Sequence, residues 1–185
     1  MPSEFKSLKG CLLLDAGGMN GSCFHHAVIL VCQHTQEGAF GLVLNQTSDK
    51  TDVAKMGVEL PTPLNQLPLR LGGPVDPSTL SYLHSDSFMF QGNVMANLTL
   101  GHDLSELADI GNSFTSHHQV EIYSGYSGWG PGQMESELER KAWLVHPAKT
   151  NHVFENKGEE LWRSILRNKG WQYKLLACVI IHVLF

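Results

Sequence analysis

Apolar residues in this chain come in short runs separated by glycine, proline and polar clusters. Gly10–Leu14 (GCLLL) predicts a short strand, followed by a turn-rich loop at Asp15–Ser22 (DAGGMNGS). Ala27–Cys32 (AVILVC) is β-branched and too short for most helices, so it predicts a buried strand. The polar link Gln33–Ala39 carries Gly38 and leads into a second apolar run, Phe40–Asn45, and the pair predicts a hairpin. Pro61, Pro63 and Pro68 oppose a continuous helix before Leu69. Leu69–Val75 predicts a strand ending in a tight turn, and Thr79–His84 the next strand. Phe88–Leu100, interrupted by Gly92 and by asparagines, predicts short strands and turns.

Helical periodicity is clearest in two places. Asp103-Leu-Ser-Glu106 opens like a capping box, Leu104, Leu107, Ala108 and Ile110 follow, and Gly111 is placed to close the helix. Gly158–Asn168 carries a stripe of Leu161, Trp162, Ile165 and Leu166, with acids early, bases late and Gly170 as a stop. Between them, Gln119–Tyr123 (QVEIY) alternates like a strand, and Ala142–Val145 predicts another. Many short strands, few helices, no internal repeat and no linker predict a single α+β domain over residues 1–185.

Composition narrows the class. A chain of 185 residues holds one sizeable core. A net charge of -5 argues against attraction to nucleic acid or anionic lipid, so direct nucleic acid binding is not expected. The first residues lack the apolar core of a secretory signal, and Leu175–Phe185 is shorter than the roughly 20 residues of a membrane helix. A cytoplasmic protein with no membrane contact is expected. Cys11, Cys23, Cys32 and Cys178 form no C-x-x-C pair and read as free, mostly buried thiols.

The stretch Gly125–Leu144 (GYSGWGPGQMESELERKAWL) poses the main functional question. Gly128 and Gly130 begin a dinucleotide fingerprint, but Gln133 stands where its third glycine belongs, and Pro131 lacks the amide a phosphate cradle uses. A nucleophile elbow around Ser127 fails because Trp129 occupies the final glycine position. The favoured reading is a rigid corner: Gly130 as N-cap, Pro131 as first helical residue and Gln133 as the reach-back residue of a capping box. Met134 and Leu138 then share a face, and Glu137 and Lys141 make an i,i+4 pair. Tyr126, Trp129 and Gln133 remain available to line a pocket on that corner.

Ten histidines invite a metal hypothesis that their spacing does not support. There is no H-E-x-x-H, and the neighbours His25-His26 and His117-His118 would point to opposite faces of a strand. No metal and no cofactor are expected. A DNA-reading surface would rest on Arg163, Arg167, Lys169 and Lys174, where Glu159 and Glu160 dilute the charge.

An ordered set of blocks carries a resemblance. It comprises His34, Gly38, Gly41 and Asn45 in HTQEGAFGLVLN, then Gly72, Gly73, Pro74 and Val75 with Leu83-His84, then GYSGWGPGQMESEL with its glycines Gly125, Gly128, Gly130 and Gly132, then Trp143 and Leu161-Trp162. This set resembles the YqgE/AlgH family of bacterial proteins. The resemblance implies a coiled, branched, mostly antiparallel β-sheet flanked by a few short helices. It also implies a bacterial cytoplasmic protein of a family often labelled transcriptional regulators, with no activity established for the family as a whole. The family pattern places alanine or serine at Ser127, an exchange no nucleophile tolerates. The ending Ala177–Phe185 departs from the polar, proline-bearing ending common in the family.

Three functional readings follow. A non-catalytic binding or regulatory module, acting on an unknown protein or small-molecule partner, would use Tyr126, Trp129, Gln133, Glu135, Asn45 and His84 as its contact surface. A hydrolase-type enzyme would assemble His34, His84, Asn45, Glu135 and Ser127 in space. A regulator binding DNA directly would use the basic helix. The first is favoured because no complete catalytic constellation accompanies the aromatic-glycine stretch. Oligomeric state is not specified by the sequence.

Overall fold

A computed structural model describes residues 5–52, 57–86, 90–155 and 158–170. The fold is α+β. Nine strands, β1 (Cys11–Asp15), β2 (Val28–Thr35), β3 (Gly38–Val43), β4 (Thr47–Asp52), β5 (Pro68–Leu71), β6 (Val75–Asp86), β7 (Thr99–Gly101), β8 (His118–Trp129) and β9 (Trp143–Pro147), form one branched sheet. The helices are α1 (Leu104–Asn112), α2 (Gln133–Glu139), α3 (Thr150–Phe154) and α4 (Glu159–Lys169). The main path runs β4-β5-β8-β3-β2-β1-β9, with β6 and β7 branching from β8. Only β5 and β8 pair in parallel among the described residues.

The two ways in which apolar residues are arranged along the chain have one cause. β1, β2 and β3 are covered on both faces, so their sequences are continuously apolar. Leu12, Leu14, Val28, Leu30, Leu42 and Leu44 face α4, which buries Leu161, Trp162, Ile165 and Leu166 against them. Each of those helix side chains contributes roughly 1.5–3 kcal/mol by leaving water. Leu13, Ile29, Val31 and Val43 face the other way, toward Trp129, Trp143 and Met134 of α2. At the far end, Leu69, Tyr82, Val120 and Ile122 pack on Leu107 of α1, while Glu121 on the opposite face of β8 pairs with Arg70, which is why QVEIY alternates.

Several boundaries differ from the sequence reading. The β2–β3 hairpin closes more tightly, because β2 runs on to Thr35 and β3 begins at Gly38. Asp103 caps α1, its Oδ1 accepting from Ser105 N at 2.7 Å. Gly111 lies inside that helix rather than ending it: a Cβ there would come within 2.8 Å of Leu64 Cδ1. Cys32 is buried and Cys11 half-buried, but Cys23 is exposed, and all three are free thiols. Cys178 and the segment 177–185 lie outside the described residues. No helix among the described residues is long and apolar enough to cross a membrane.

Candidate functional site

The glycine-rich stretch is strand as far as Trp129, not a corner. β8 first pairs with β5 and β6 over residues 118–124, then continues as the partner of β3, with Gly41 opposite Ser127 and Ala39 opposite Trp129. Gly125 makes the transition. Its φ of +67° is left-handed, and a Cβ there would meet Gly73 O at 2.6 Å and Val75 O at 3.0 Å. The pairing of β6 with β8 shifts register at this point, so the glycine marks a bulge where one strand changes partners.

The chain turns at residues 130–132, and the N-cap of α2 is Gly132 with φ +71°, not Gly130. Pro131 therefore sits in the turn before the helix. The expected reach-back does form: Gln133 Oε1 accepts from Gly130 N at 3.1 Å. Met134 is buried and Leu138 half-buried on the face that packs on β1–β3. The expected Glu137–Lys141 pair gives way to a different arrangement. α2 ends at Glu139, Lys141 follows in a left-handed conformation with φ +59°, and Glu137 turns inward.

Glu137 Oε2 accepts from the indole of Trp129 at 2.9 Å and from that of Trp143 at 2.7 Å, while Oε1 accepts from Gln133 Nε2 at 2.9 Å. Burial pushes its pKa up, but hydrogen bonds from Trp143, Gln133 and Trp129, with Arg140 nearby, prevail and hold it below the usual carboxylate value. The Trp129 and Trp143 rings meet edge-on at 6.4 Å, and Phe24 stands edge-on to Trp143 at 5.8 Å. Together with Met19 and Arg140 these groups bound an open hollow of about 340 Å³. Met19 and Phe24 come from the loop between β1 and β2. Their side, and Glu137, were not legible as site residues in the sequence; a buried indole's need for a hydrogen-bond acceptor was the available signal for Glu137.

Other predicted residues lie elsewhere. Tyr126 faces the opposite side of β8 from Trp129 and stacks on Phe40 at 4.9 Å. Glu135 Oε1 lies 3.0 Å from Nε2 of the buried His34, whose Nδ1 accepts from Leu8 N at 3.0 Å. Asn45 is a buried clamp, accepting from Val28 N and donating to His26 O, each at 2.9 Å. His84 sits in the β6–β7 branch, opposite Thr99 and Val120. Ser127 is fully buried and donates to Gly72 O at 3.2 Å. The structure thus joins Trp129 with Gln133 and His34 with Glu135, and leaves Tyr126, Asn45 and His84 in separate surroundings. Arg163 and Arg167 of α4 pair with Glu159 and Glu160 at 2.7 and 2.6 Å, and Lys169 donates to Val145 O. Lys174 lies outside the described residues.

A second polar cluster flanks the same loop. His25 and His26 are not strand neighbours; they occupy the turn before β2, with His26 at φ +53° and the two ring centroids 3.7 Å apart, tilted by 32°. His26 also stacks on Trp162 at 4.1 Å, and its Nδ1 lies 3.1 Å from Glu159 Oε1. Burial, then His25, press its pKa below the ordinary value against the pull of Glu159 and Asp15.

Known proteins share this architecture. The solution structure of AlgH from Pseudomonas aeruginosa is similar with a TM-score of 0.74 at 26% identity, over 96% of this chain and 97% of that one. Protein DIP2367 from Corynebacterium diphtheriae shares the fold, with a TM-score of 0.74 at 21% identity over 94% of this chain and 93% of that one. A UPF0301 protein of Pelodictyon phaeoclathratiforme is 32% identical over 96% of this chain and 95% of its own length. One from Chlamydia caviae is 33% identical over 92% and 91%. The sequence profile described as AlgH-like (DUF179) matches residues 12–174, and with these relatives it establishes that the chain belongs to the AlgH-like family.

Proposed function

We propose that this protein is a non-catalytic binding module whose contact site is the hollow between Trp129, Trp143 and Phe24. The observation that carries the reading is the state of Glu137. A carboxylate that accepts from two indoles and a glutamine is a fixed strut, with its proton held off and its orientation set. It holds two large aromatic rings rigid, and rigid aromatic walls lose little entropy when a partner covers them. The occupant is a protein segment or small ligand that places an apolar group against Phe24, Met19 and the tryptophans.

Other features agree with a binding role. Ser127 is buried and its hydroxyl is given to a backbone carbonyl, and both nitrogens of His34 have partners. The arginines of α4 pair with glutamates of the same helix, so a regulatory effect would run through a partner rather than through DNA.

The test is a fragment screen by nuclear magnetic resonance on the wild type and on Ala142→Phe, which fills the hollow from its half-buried wall. Binders that move the Trp129 and Trp143 indole signals in the wild type, and lose affinity in a folded Ala142→Phe variant, support the reading. Binders that map only elsewhere, or hydrolytic turnover that survives Ala142→Phe, would refute it.

A further inference from the structure

We infer that Asp15, His25 and His26, with Glu159 beside them, form a binding site for one divalent first-row transition metal ion of the zinc class. This goes beyond the binding-module reading and does not rest on it. One ligand atom from each of Asp15, His25 and His26 lies within 4.8 Å of the other two. The set is two imidazoles and a carboxylate, the donor chemistry that suits zinc and its neighbours. Magnesium and calcium prefer oxygen throughout, so the two imidazoles select against them.

The surroundings hold these groups as a metal site requires. The Asp15 carboxylate is fully buried, and its oxygens accept from Gly17 N and His26 N, each at 2.9 Å. Those amides fix its orientation while leaving lone pairs for an ion. His26 is clamped between His25 and Trp162, and the Trp162 indole donates to Asp15 O at 2.9 Å. Glu159 Oε1 stands 3.1 Å from His26 Nδ1 and is half-exposed; it serves as a fourth ligand only by giving up its pair with Arg163 at 2.7 Å.

The remaining distance is informative. His25 Nδ1 lies 3.9 Å from Asp15 Oδ2, too far for a hydrogen bond. Metal bonds of about 2.0–2.2 Å in tetrahedral geometry bring such donors to about 3.3–3.6 Å. The needed movement is small, and the His25 side chain, 41% exposed, is the one free to make it. A bound ion would also brace the loop that carries Met19 and Phe24.

The experiment uses the full chain without a histidine tag, stripped with a chelator and titrated with Zn(II) by calorimetry and Co(II) by visible absorption. The wild type is expected to bind one ion and to melt at a higher temperature with zinc present. His25→Ala and His25→Asn, which alter an exposed side chain, should melt as the wild type does without metal. Each should bind at least about tenfold more weakly, and Glu159→Gln should weaken binding less. The inference is overturned if the wild type takes up no stoichiometric zinc, or if either folded His25 variant binds it as tightly as the wild type does.

Discussion

The indoles of Trp129 and Trp143 donate to the same oxygen of Glu137, at 2.9 and 2.7 Å, although their strands, β8 and β9, are not neighbours in the sheet. α2 lies between those strands in sequence, so one carboxylate staples the end of β8, the helix and the start of β9 together. The staple spans the three strands that lie between them, β3, β2 and β1, where backbone pairing does not connect β8 to β9 directly.

Removing that carboxylate should therefore destabilise the protein out of proportion to its exposure. Glu137→Ala leaves two indole donors short of an acceptor, at about 1–3 kcal/mol for each unmet partner, so a loss of about 2–6 kcal/mol is expected. Glu137→Gln keeps an acceptor and should lose about 1 kcal/mol. Urea denaturation at neutral pH measures both, and equal losses for the two variants would contradict the staple.

The same group shapes the acid side of the stability profile. Its pKa is lower in the folded protein than in the unfolded chain, so its contribution is complete above the unfolded value of about 4.3. The contribution disappears as pH falls through the folded value. The stability gap between wild type and Glu137→Gln should be constant from pH 7 to about pH 5, and should close as the pH drops toward 3. A gap that widens on acidification would reverse the sign of this assignment.

How far the sequence reveals this arrangement depends on whether local or distant contacts decide each element. The runs LLL and AVILVC read as buried strands because both of their faces are covered, and α4 reads as a helix because its stripe and charge order are local properties. The end of β8 does not read as strand. Its glycines punctuate locally, and only pairing with β3, which lies about ninety positions earlier, makes them extended. Glu137 looks like a partner for Lys141 until the helix is known to stop at Glu139. His25 and His26 look divergent only if the chain is extended there, and the left-handed turn at His26 brings their rings together instead.

Gly125 and Gly132 provide a paired test of the branch point. Their φ angles are nearly equal, +67° and +71°, but a Cβ on Gly125 would strike backbone oxygens of Gly73 and Val75, while one on Gly132 meets nothing within 4 Å. Gly132→Ala should cost about 1 kcal/mol, the ordinary penalty for a left-handed residue. Gly125→Ala should cost at least about 2 kcal/mol more than that, because the strand must also separate from its neighbours. Chemical denaturation of the two variants side by side measures the difference, and equal losses would show that crowding at the branch is relieved cheaply.

Arg70 of β5 and Glu121 of β8 form a two-pronged pair, at 2.6 and 2.9 Å, with side chains only 11% and 12% exposed. Breaking it from either side strands a charge in the sheet, so Arg70→Met and Glu121→Gln should each cost about 3 kcal/mol. The double variant should lose less than the sum of the two, with a coupling of about 1–3 kcal/mol. Denaturation of the four proteins of the cycle gives the coupling directly, and additive losses would mean that the pair contributes through packing alone.

His84 carries a second pH dependence, of known sign. Burial, then the neighbouring His118, lowers its pKa below 6.5 in the folded state, against the opposite pull of Glu106 and Asp86. The unfolded chain then binds more protons than the folded one between the folded value and about 6.5, so stability rises with pH across that window and levels off above it. One such group contributes a slope of at most about 1.4 kcal/mol per pH unit. His26, His146 and His152 are lowered as well, so the slope of the wild type mixes several groups. The difference between wild type and His84→Gln isolates one of them. It should grow in favour of the wild type as pH rises toward 6.5 and stay constant beyond. A difference that is flat from pH 5 to 7 would place His84 in water in the folded protein, against the burial that sets its pKa.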